Sequence, residues 1–243
     1  MYGCAPPDER FPDWRRDFGR APSDPARLEL EIGPGHGAFA LDHAAAHPEV
    51  DLVAIETRRS DCELIRSRAA RRALANLLVL QGDAKVLLPR LFAEGSLHAV
   101  HVHFPDPWWK TRHHKRRLVD VELAALLRTL LRARGEVDFR TDVPAYATEA
   151  LRTWEQAGFE NLEGTGVLSA SVPEVLSTRE RRYAQTGQPV FRARLVNPEV
   201  APLAPAVDAI SPPAPSPASS SPASPSSQPA SRTGREWRDV RRK

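Results

Sequence analysis

Cysteine is nearly absent from this 243-residue sequence: Cys4 and Cys62 are the two, in no C-x-x-C or other metal spacing. That excludes a disulfide-stapled scaffold and a cysteine-held metal, and it suits a reduced, cytoplasmic chain. Long apolar runs are missing too. No stretch approaches the roughly eighteen residues a membrane helix needs, and the opening "MYGCAPPDERFPDW" lacks the apolar core of a signal peptide. Neither membrane insertion nor secretion is expected, and there is no internal repeat. A body-wide excess of positive charge is lacking as well. The formal net charge is +3, but the last twelve residues, "RTGREWRDVRRK", carry six basic and two acidic groups. That leaves about −1 for residues 1–231, so an argument for nucleic acid has to rest on local patches.

Proline is abundant, at 23 residues, and unevenly spread. From Asn197 to Ser231 the chain is mostly Pro, Ser and Ala. Such a segment has too little apolar surface to offset the entropy of ordering it. The length accommodates one α/β domain with tails or two small ones. The expected organisation is an N-terminal extension (1–17), a catalytic domain (18–196), a disordered linker (197–231) and a basic tail (232–243).

Between residues 27 and 196 apolar runs alternate with helical patterns. "LELEI" (28–32), "DLVAIE" (51–56), "LLVLQ" (77–81), "AVHVHF" (99–104) and "GEVDFRT" (135–141) read as strands. "GAFALDHAAAH", "RSDCELIRSRAARRA", "KVLLPRLFAE", "VDVELAALLRTLLRAR" and "YATEALRTWEQAG" carry the i, i+3, i+4 spacing of helices. Two further strands, at 159–163 and 189–196, complete the set. This alternation predicts an α/β fold with a doubly wound, mostly parallel sheet, whose ligands bind beyond the carboxyl ends of its strands.

The strand ends carry the chemistry. After the first comes "ELEIGPGHGAF", with Glu31, Gly33, Gly35 and Gly37 at alternate positions. The glycines allow a sharp turn and a close backbone approach to a ligand. The dinucleotide pattern G-x-G-x-x-G places its third glycine one residue later, and a carboxylate ahead of the turn repels a pyrophosphate. Glu31 suits a cationic ligand such as S-adenosyl-L-methionine, with its sulfonium and α-ammonium. Glu56, ending the second strand, can accept both hydroxyls of a ribose. Asp83, after the third, is placed to accept from an adenine amino group, and it suits a helix N-cap equally well. Three carboxylates at three successive strand ends read together as an S-adenosylmethionine pocket on a Rossmann-like class I methyltransferase fold.

The fourth strand delivers "HFPDPWWKTRHHKRR". Pro105 and Pro107 restrict the backbone around Asp106 and so hold its carboxylate at the sheet edge. Trp108 is the better platform for a stacked base, and Trp109 reads as packing. The basic run from Lys110 to Arg117 can meet phosphates or be a solvated helix start. His113 and His114 lack further ligands at metal spacing. His101 and His103 alternate on one strand face as satisfied histidines.

With these motifs in view, residues 18–196 resemble the bacterial tRNA (guanine-N7)-methyltransferase family. "LEIGPGHG", Glu56, "GDA", "FPDPWWKTRHHKRR", "RTDVPAYA" and "STRERR" stand in the family's order. The resemblance implies that Glu31, Glu56, Asp83 and Asp106 contact S-adenosylmethionine, that Asp106 is also the catalytic acid, and that Lys110 and Asp142 touch substrate. It places Ser177, Thr178, Arg179 and Glu180 at the family's substrate-binding "T-K-F-E", with Thr178 and Arg179 replacing a lysine and an aromatic; Tyr183 offers a ring nearby. It further implies tRNA as partner, the variable-loop guanine at position 46 as acceptor, no metal, and a monomer or homodimer. Three alternatives share part of the pattern. A class I methyltransferase with another acceptor leaves the basic run unexplained. An oxidoreductase conflicts with Glu31 and the early third glycine. A non-catalytic RNA-binding module conflicts with the complete set of acids.

Overall fold

The computed structural model describes residues 11–21, 24, 27–109, 111–170 and 172–198, and only the backbone of Thr111, His114 and Lys115. Cys4, Lys110 and residues 199–243 of the expected linker and tail lie outside the described residues. The elements run α1 (Trp14–Asp17), β1 (Arg27–Ile32), α2 (Ala38–Ala46), β2 (Val50–Glu56), α3 (Arg59–Arg71), β3 (Leu77–Gln81), α4 (Ala84–Leu91) and β4 (Leu97–His103). A 3₁₀ turn (Thr111–Arg116) follows, then α5 (Val121–Leu130), β5 (Leu131–Thr141), α6 (Pro144–Gln156), β6 (Glu160–Asn161), α7 (Thr178–Thr186) and β7 (Phe191–Val196).

The strands form one sheet in the order β3-β2-β1-β4-β5-β7-β6. β1 to β5 are parallel, and β7 runs antiparallel to both β5 and β6. β2 and β4 lie on opposite sides of β1, so the chain reverses direction across the sheet there. A crevice opens above such a point, at the carboxyl ends of β1 and β4. β2 is buried at every position, as a strand covered on both faces must be.

Alternation along the strands sorts the two faces. Leu30, Ile32, Val53, Ile55, Val100, Val102, Val137 and Phe139 join one apolar cluster with residues of α4, α5 and α6. Leu52, Ala54, Leu77 and Val79 pack against α2 and α3 in a second cluster. α1 starts ahead of the boundary expected at residue 18. It stacks Trp14 on Phe92 at 5.1 Å, and the indole N–H donates to the Leu91 carbonyl at 3.1 Å.

Three boundaries differ from the sequence expectation. The helical pattern "VDVELAALLRTLLRAR" continues to Arg134, yet α5 stops at Leu130 and β5 begins at once. Asn197 is the reason: its side-chain amide donates to the carbonyls of Arg128, Leu131 and Arg132, and its backbone bonds Arg134 and Gly135. Long-range capping of this kind overrides local periodicity. β4 ends before Phe104, which turns the chain at φ +50°. The strand expected over 159–163 shrinks to two residues.

Candidate active site

The glycine turn leaves β1 with φ of +73°, +55° and +76° at Gly33, Gly35 and Gly37. A side chain strains at such angles, and a Cβ on Gly37 would stand 2.4 Å from Ile65. The turn is held by the Gly35 N–H, which donates to Glu56 Oε2 at 3.1 Å. Glu56 Oε1 accepts from the Thr57 hydroxyl and the Arg58 N–H, at 3.0 and 2.9 Å. Because each carboxylate oxygen has two acceptor directions, Glu56 keeps one on Oε2. Asp83 caps α4 through the Lys85 N–H at 2.9 Å while remaining exposed. It therefore does what the cap reading expected and still presents its second oxygen.

Glu31 is different. It is 2% exposed, and its Oε2 is buried without a hydrogen-bond partner. Burial pushes its carboxyl up to about 8, against the pull of His101 and Arg140. A buried acid with an orphaned oxygen costs stability unless a donor arrives. The ammonium group of S-adenosylmethionine is such a donor. The acids at the first three strand ends therefore fit this cofactor: Glu31 has an unpartnered oxygen for a cationic donor, and Glu56 and Asp83 keep acceptor capacity for hydroxyl or amino donors.

Across the crevice, β4 runs into Phe104, whose N–H donates to the Arg140 carbonyl at 2.7 Å. Phe104 and Trp108 both have positive φ, +50° and +46°. Non-glycine residues hold such angles only when their surroundings enforce them. The enforcement is visible below the turn. Arg117 is buried, donates from Nε to the Pro107 carbonyl at 2.8 Å, pairs with Glu149 and lies over the Tyr146 ring at 4.8 Å. Asp106, between the prolines, is exposed.

This splits the basic run. Arg117 faces inward as a brace for the turn and is not available to phosphates. Arg116 stands over the Trp108 ring at 5.1 Å, and His113 meets the same ring edge-on at 5.9 Å. Trp108 is thus partly covered, whereas Trp109 is 75% exposed. Trp108, expected as the platform, is the more covered ring, and Trp109, expected as packing, is the more open one. Lys110 lies outside the described residues.

Beyond β5, Asp142 accepts from the Tyr183 hydroxyl at 2.5 Å and lies 3.7 Å from Arg179. Arg179 also sits 5.3 Å from the Phe104 ring, and Tyr183 packs edge-on to it at 6.2 Å. Asp142, Arg179 and Tyr183 therefore gather around Phe104, two residues from Asp106. Thr178 is exposed beside them. Ser177 and Glu180 are used within the fold. Each accepts the other's backbone N–H, closing a capping box at the start of α7. Glu180 is 2% exposed and also accepts from Arg140 at 2.8 Å and Arg192 at 3.1 Å. It holds α7 in place from beneath.

One feature went unread in the sequence. Under the crevice, on the α2 side of the sheet, lies a buried row of charged and imidazole groups. Glu29 Oε2 bonds His43 and His101, each at 2.9 Å; Asp138 Oδ2 bonds His103 at 3.1 Å and pairs with Arg140. Despite desolvation, bonds to Asp138 and Glu29 push His101 up to about 9, while burial pushes His103 down to about 4. The ligand atoms of Glu29, His43 and His101, and those of His101, His103 and Asp138, lie within 4.8 Å of one another. Here the acids bond the Nε2 atoms of the three rings, while Nδ1 of His101 and of His103 is buried without a hydrogen-bond partner. The signal was the strict alternation in "LELEI", "VHVH" and "VDFR", which puts every polar residue on one face.

Fold and site together define a class I S-adenosylmethionine-dependent methyltransferase. Residues 25–193 match a family model described as "Putative methyltransferase". The tRNA (guanine-N(7)-)-methyltransferase of Anaeromyxobacter dehalogenans is 58% identical over 187 residues, 76% of this chain and 92% of that protein. That of Myxococcus xanthus is 46% identical over 78% of this chain and 91% of its own length. The chain belongs to the family of tRNA (guanine-N(7)-)-methyltransferases. Among solved structures, a 16S rRNA methyltransferase, KamB, shares the fold with a TM-score of 0.56 at 20% identity, over 76% of this chain and 94% of that one.

Proposed function

We propose that this chain methylates N7 of the variable-loop guanine at position 46 of tRNA, using S-adenosylmethionine, as a cytoplasmic monomer or homodimer without a metal. The observation that carries the reading is the placing of two carboxylates around the switch point between β1 and β4. An orphaned buried carboxylate, Glu31, lies on one side, and a braced, exposed carboxylate, Asp106, on the other. When bound, the cofactor supplies an electrophilic methyl on a sulfonium. Guanine N7 carries an unprotonated lone pair at neutral pH, so no residue has to act as general base.

The protein's task is then alignment and charge. Glu31, Glu56 and Asp83 hold the cofactor, and the glycine turn brings backbone close to it. Asp106 stands where the methylated base gains positive charge, and a fixed carboxylate there favours that charge as it develops. Asp142, Arg179 and Tyr183 form the opposite wall and position the guanine. Trp109, with its open ring, offers a surface for a neighbouring base. Glu180 and Ser177 act through the placement of α7, and Arg117 through the placement of the Asp106 turn. Guanine 46 is held by tertiary pairing in folded tRNA, so it has to leave that pairing to enter the crevice.

The test is transfer of a labelled methyl to unmodified tRNA, followed by nucleoside analysis. We expect 7-methylguanosine, lost when guanine 46 is replaced. A different methylated nucleoside would overturn the assignment.

A further inference from the structure

We infer that the groove between α2, α3 and α7 is a second RNA-backbone docking surface, in which arginine guanidiniums bind phosphates away from the Asp106 turn. The inference rests on the tRNA reading above and extends it to a surface not implied by the motifs. The groove has a volume of about 370 Å³ and is lined by Arg68 and Arg71 of α3, Arg72 at its C-cap, Asp42 of α2, and Thr178 and Arg181 of α7. Four guanidiniums therefore face one carboxylate.

That carboxylate organises the groove. Asp42 Oδ1 accepts from Arg72 Nη1 at 2.8 Å, and Oδ2 pairs with Arg181, which also donates to the Leu176 carbonyl at 2.9 Å. Although partial burial acts the other way, these two arginines hold Asp42 below the usual carboxylate range. Arg68 donates one N–H to the His36 carbonyl in the glycine turn at 3.1 Å. Arg71 has no hydrogen-bond or ion-pair partner among the described residues. Arg68 and Arg72 are thus each oriented by one contact and Arg181 by two through one nitrogen, with most of each guanidinium's five donors left over, and Arg71 keeps all of its own among the described residues. A planar fork held at one corner suits a phosphate, which takes two parallel N–H donors.

Position selects the source of the phosphate. One wall of the groove starts directly after Gly37 of the cofactor turn. The other is the helix that carries Arg179 and Tyr183 to Asp142. A polyanion whose base occupies the crevice has its backbone leaving on one side or the other, and this groove borders the crevice at both of its walls. The charge is local, because the chain up to residue 231 is close to neutral, so these arginines are a concentrated patch and not part of a general basic surface.

The experiment compares full-length wild type with the double variants R68A/R71A and R68K/R71K, and with R90A/R152A, whose arginines lie exposed on α4 and α6. Binding to unmodified tRNA is measured across salt concentration, and S-adenosylmethionine binding is measured without tRNA. We expect R68A/R71A to weaken tRNA binding, and to reduce the slope of log affinity against log salt by about 1.4–1.8, as loss of two phosphate contacts requires. R68K/R71K should keep most of the slope and R90A/R152A all of it; S-adenosylmethionine affinity, which reports the loss of the Arg68 bond to the His36 carbonyl, should fall less than tRNA affinity in R68A/R71A and be unchanged in R90A/R152A. Wild-type affinity and slope in R68A/R71A would overturn the groove, as would an equal loss in R90A/R152A, or a loss of affinity at unchanged slope. Inorganic phosphate competing as well as tRNA, at equal phosphate concentration, would also overturn it by reducing the site to a simple anion site. The methylated nucleoside made by the wild type tests the activity separately, so failure of one reading leaves the other measurable.

Discussion

Replacing Glu31 with Gln should strengthen the fold in alkaline solution and weaken cofactor binding, and both effects follow from one buried carboxyl. In the folded chain Glu31 titrates near 8, against an ordinary value of 4.5. A group whose folded value is raised contributes stability that is fully present below its unfolded value and is lost as pH climbs through the folded one. For Glu31 that window runs from about 4.5 to about 8, and the difference corresponds to at most roughly 4–5 kcal/mol. Gln does not titrate, so the gap in Tm between variant and wild type should open in the variant's favour between pH 5 and 9. At about 2–4 °C per kcal/mol for a domain of this size, the change should reach several degrees. Cofactor binding needs the ionised acid. From pH 6 to 8 the wild type should bind S-adenosylmethionine up to about tenfold more tightly per unit, releasing about 0.9 proton at pH 7. Above about pH 8 the ligand's own α-amino group loses its proton, so affinity peaks there. Glu31→Gln should lose roughly ten- to hundredfold in affinity near pH 8, the worth of a charge-assisted hydrogen bond, together with the acid limb of the profile. Isothermal titration in buffers of different ionisation enthalpy measures the proton count. Parallel pH profiles for the two proteins, or no proton release at pH 7, would refute the reasoning.

Asp106→Ala should lower kcat by roughly a hundredfold with Tm unchanged, since the side chain is exposed; wild-type turnover would remove it from the mechanism. Trp109→Ala should weaken tRNA binding by roughly 1–3 kcal/mol while Trp109→Phe retains most of it; unchanged affinity in the alanine variant would leave the exposed indole without a base to stack on. Glu180→Ala leaves Arg140 and Arg192 facing an emptied partner position and should cost about 3–5 kcal/mol of stability. A Tm within 1 °C of wild type would contradict the bracing role given to it.

Much of this was legible in the residues. Strand–helix alternation carried the parallel sheet, and E-x-G-x-G-x-G with acids at three strand ends pointed to S-adenosylmethionine as the cofactor. What escaped reading depended on contacts distant in sequence. The end of α5 is set by Asn197, some 66 residues from the Leu131 carbonyl it caps. The partial cover on Trp108 follows from Arg116 lying over its ring while Arg117 turns inward, in a run that reads as uniformly basic. α7 is too polar for periodicity to reveal, though Ser177, Glu180 and Gly187 bracket it with a capping box and a glycine stop. The buried row was visible as alternation but not as a network, because a sequence does not say that β1, β4 and β5 lie side by side.

That row explains why the two halves of the site share one foundation. Register places Glu31 beside His101 and His101 beside Asp138, then His103 beside Arg140 and Arg140 beside Arg192. Arg140 bonds Asp138 in the row and Glu180 at the start of α7. The helix that brings Tyr183 to Asp142 is therefore anchored on the same charges that surround the cofactor acid. An apolar core under the crevice would leave Glu31 with no protonated neighbour and its carboxyl would rise further, out of reach of neutral pH. It would also give the capping box of α7 nothing to hold. The polar face costs desolvation, and the charges in it offset that cost by pairing with one another. A cationic cofactor and a base that becomes cationic both need negative charge, and the cations of the buried row hold Glu31 close enough to neutral pH that the arriving cofactor can draw its proton off.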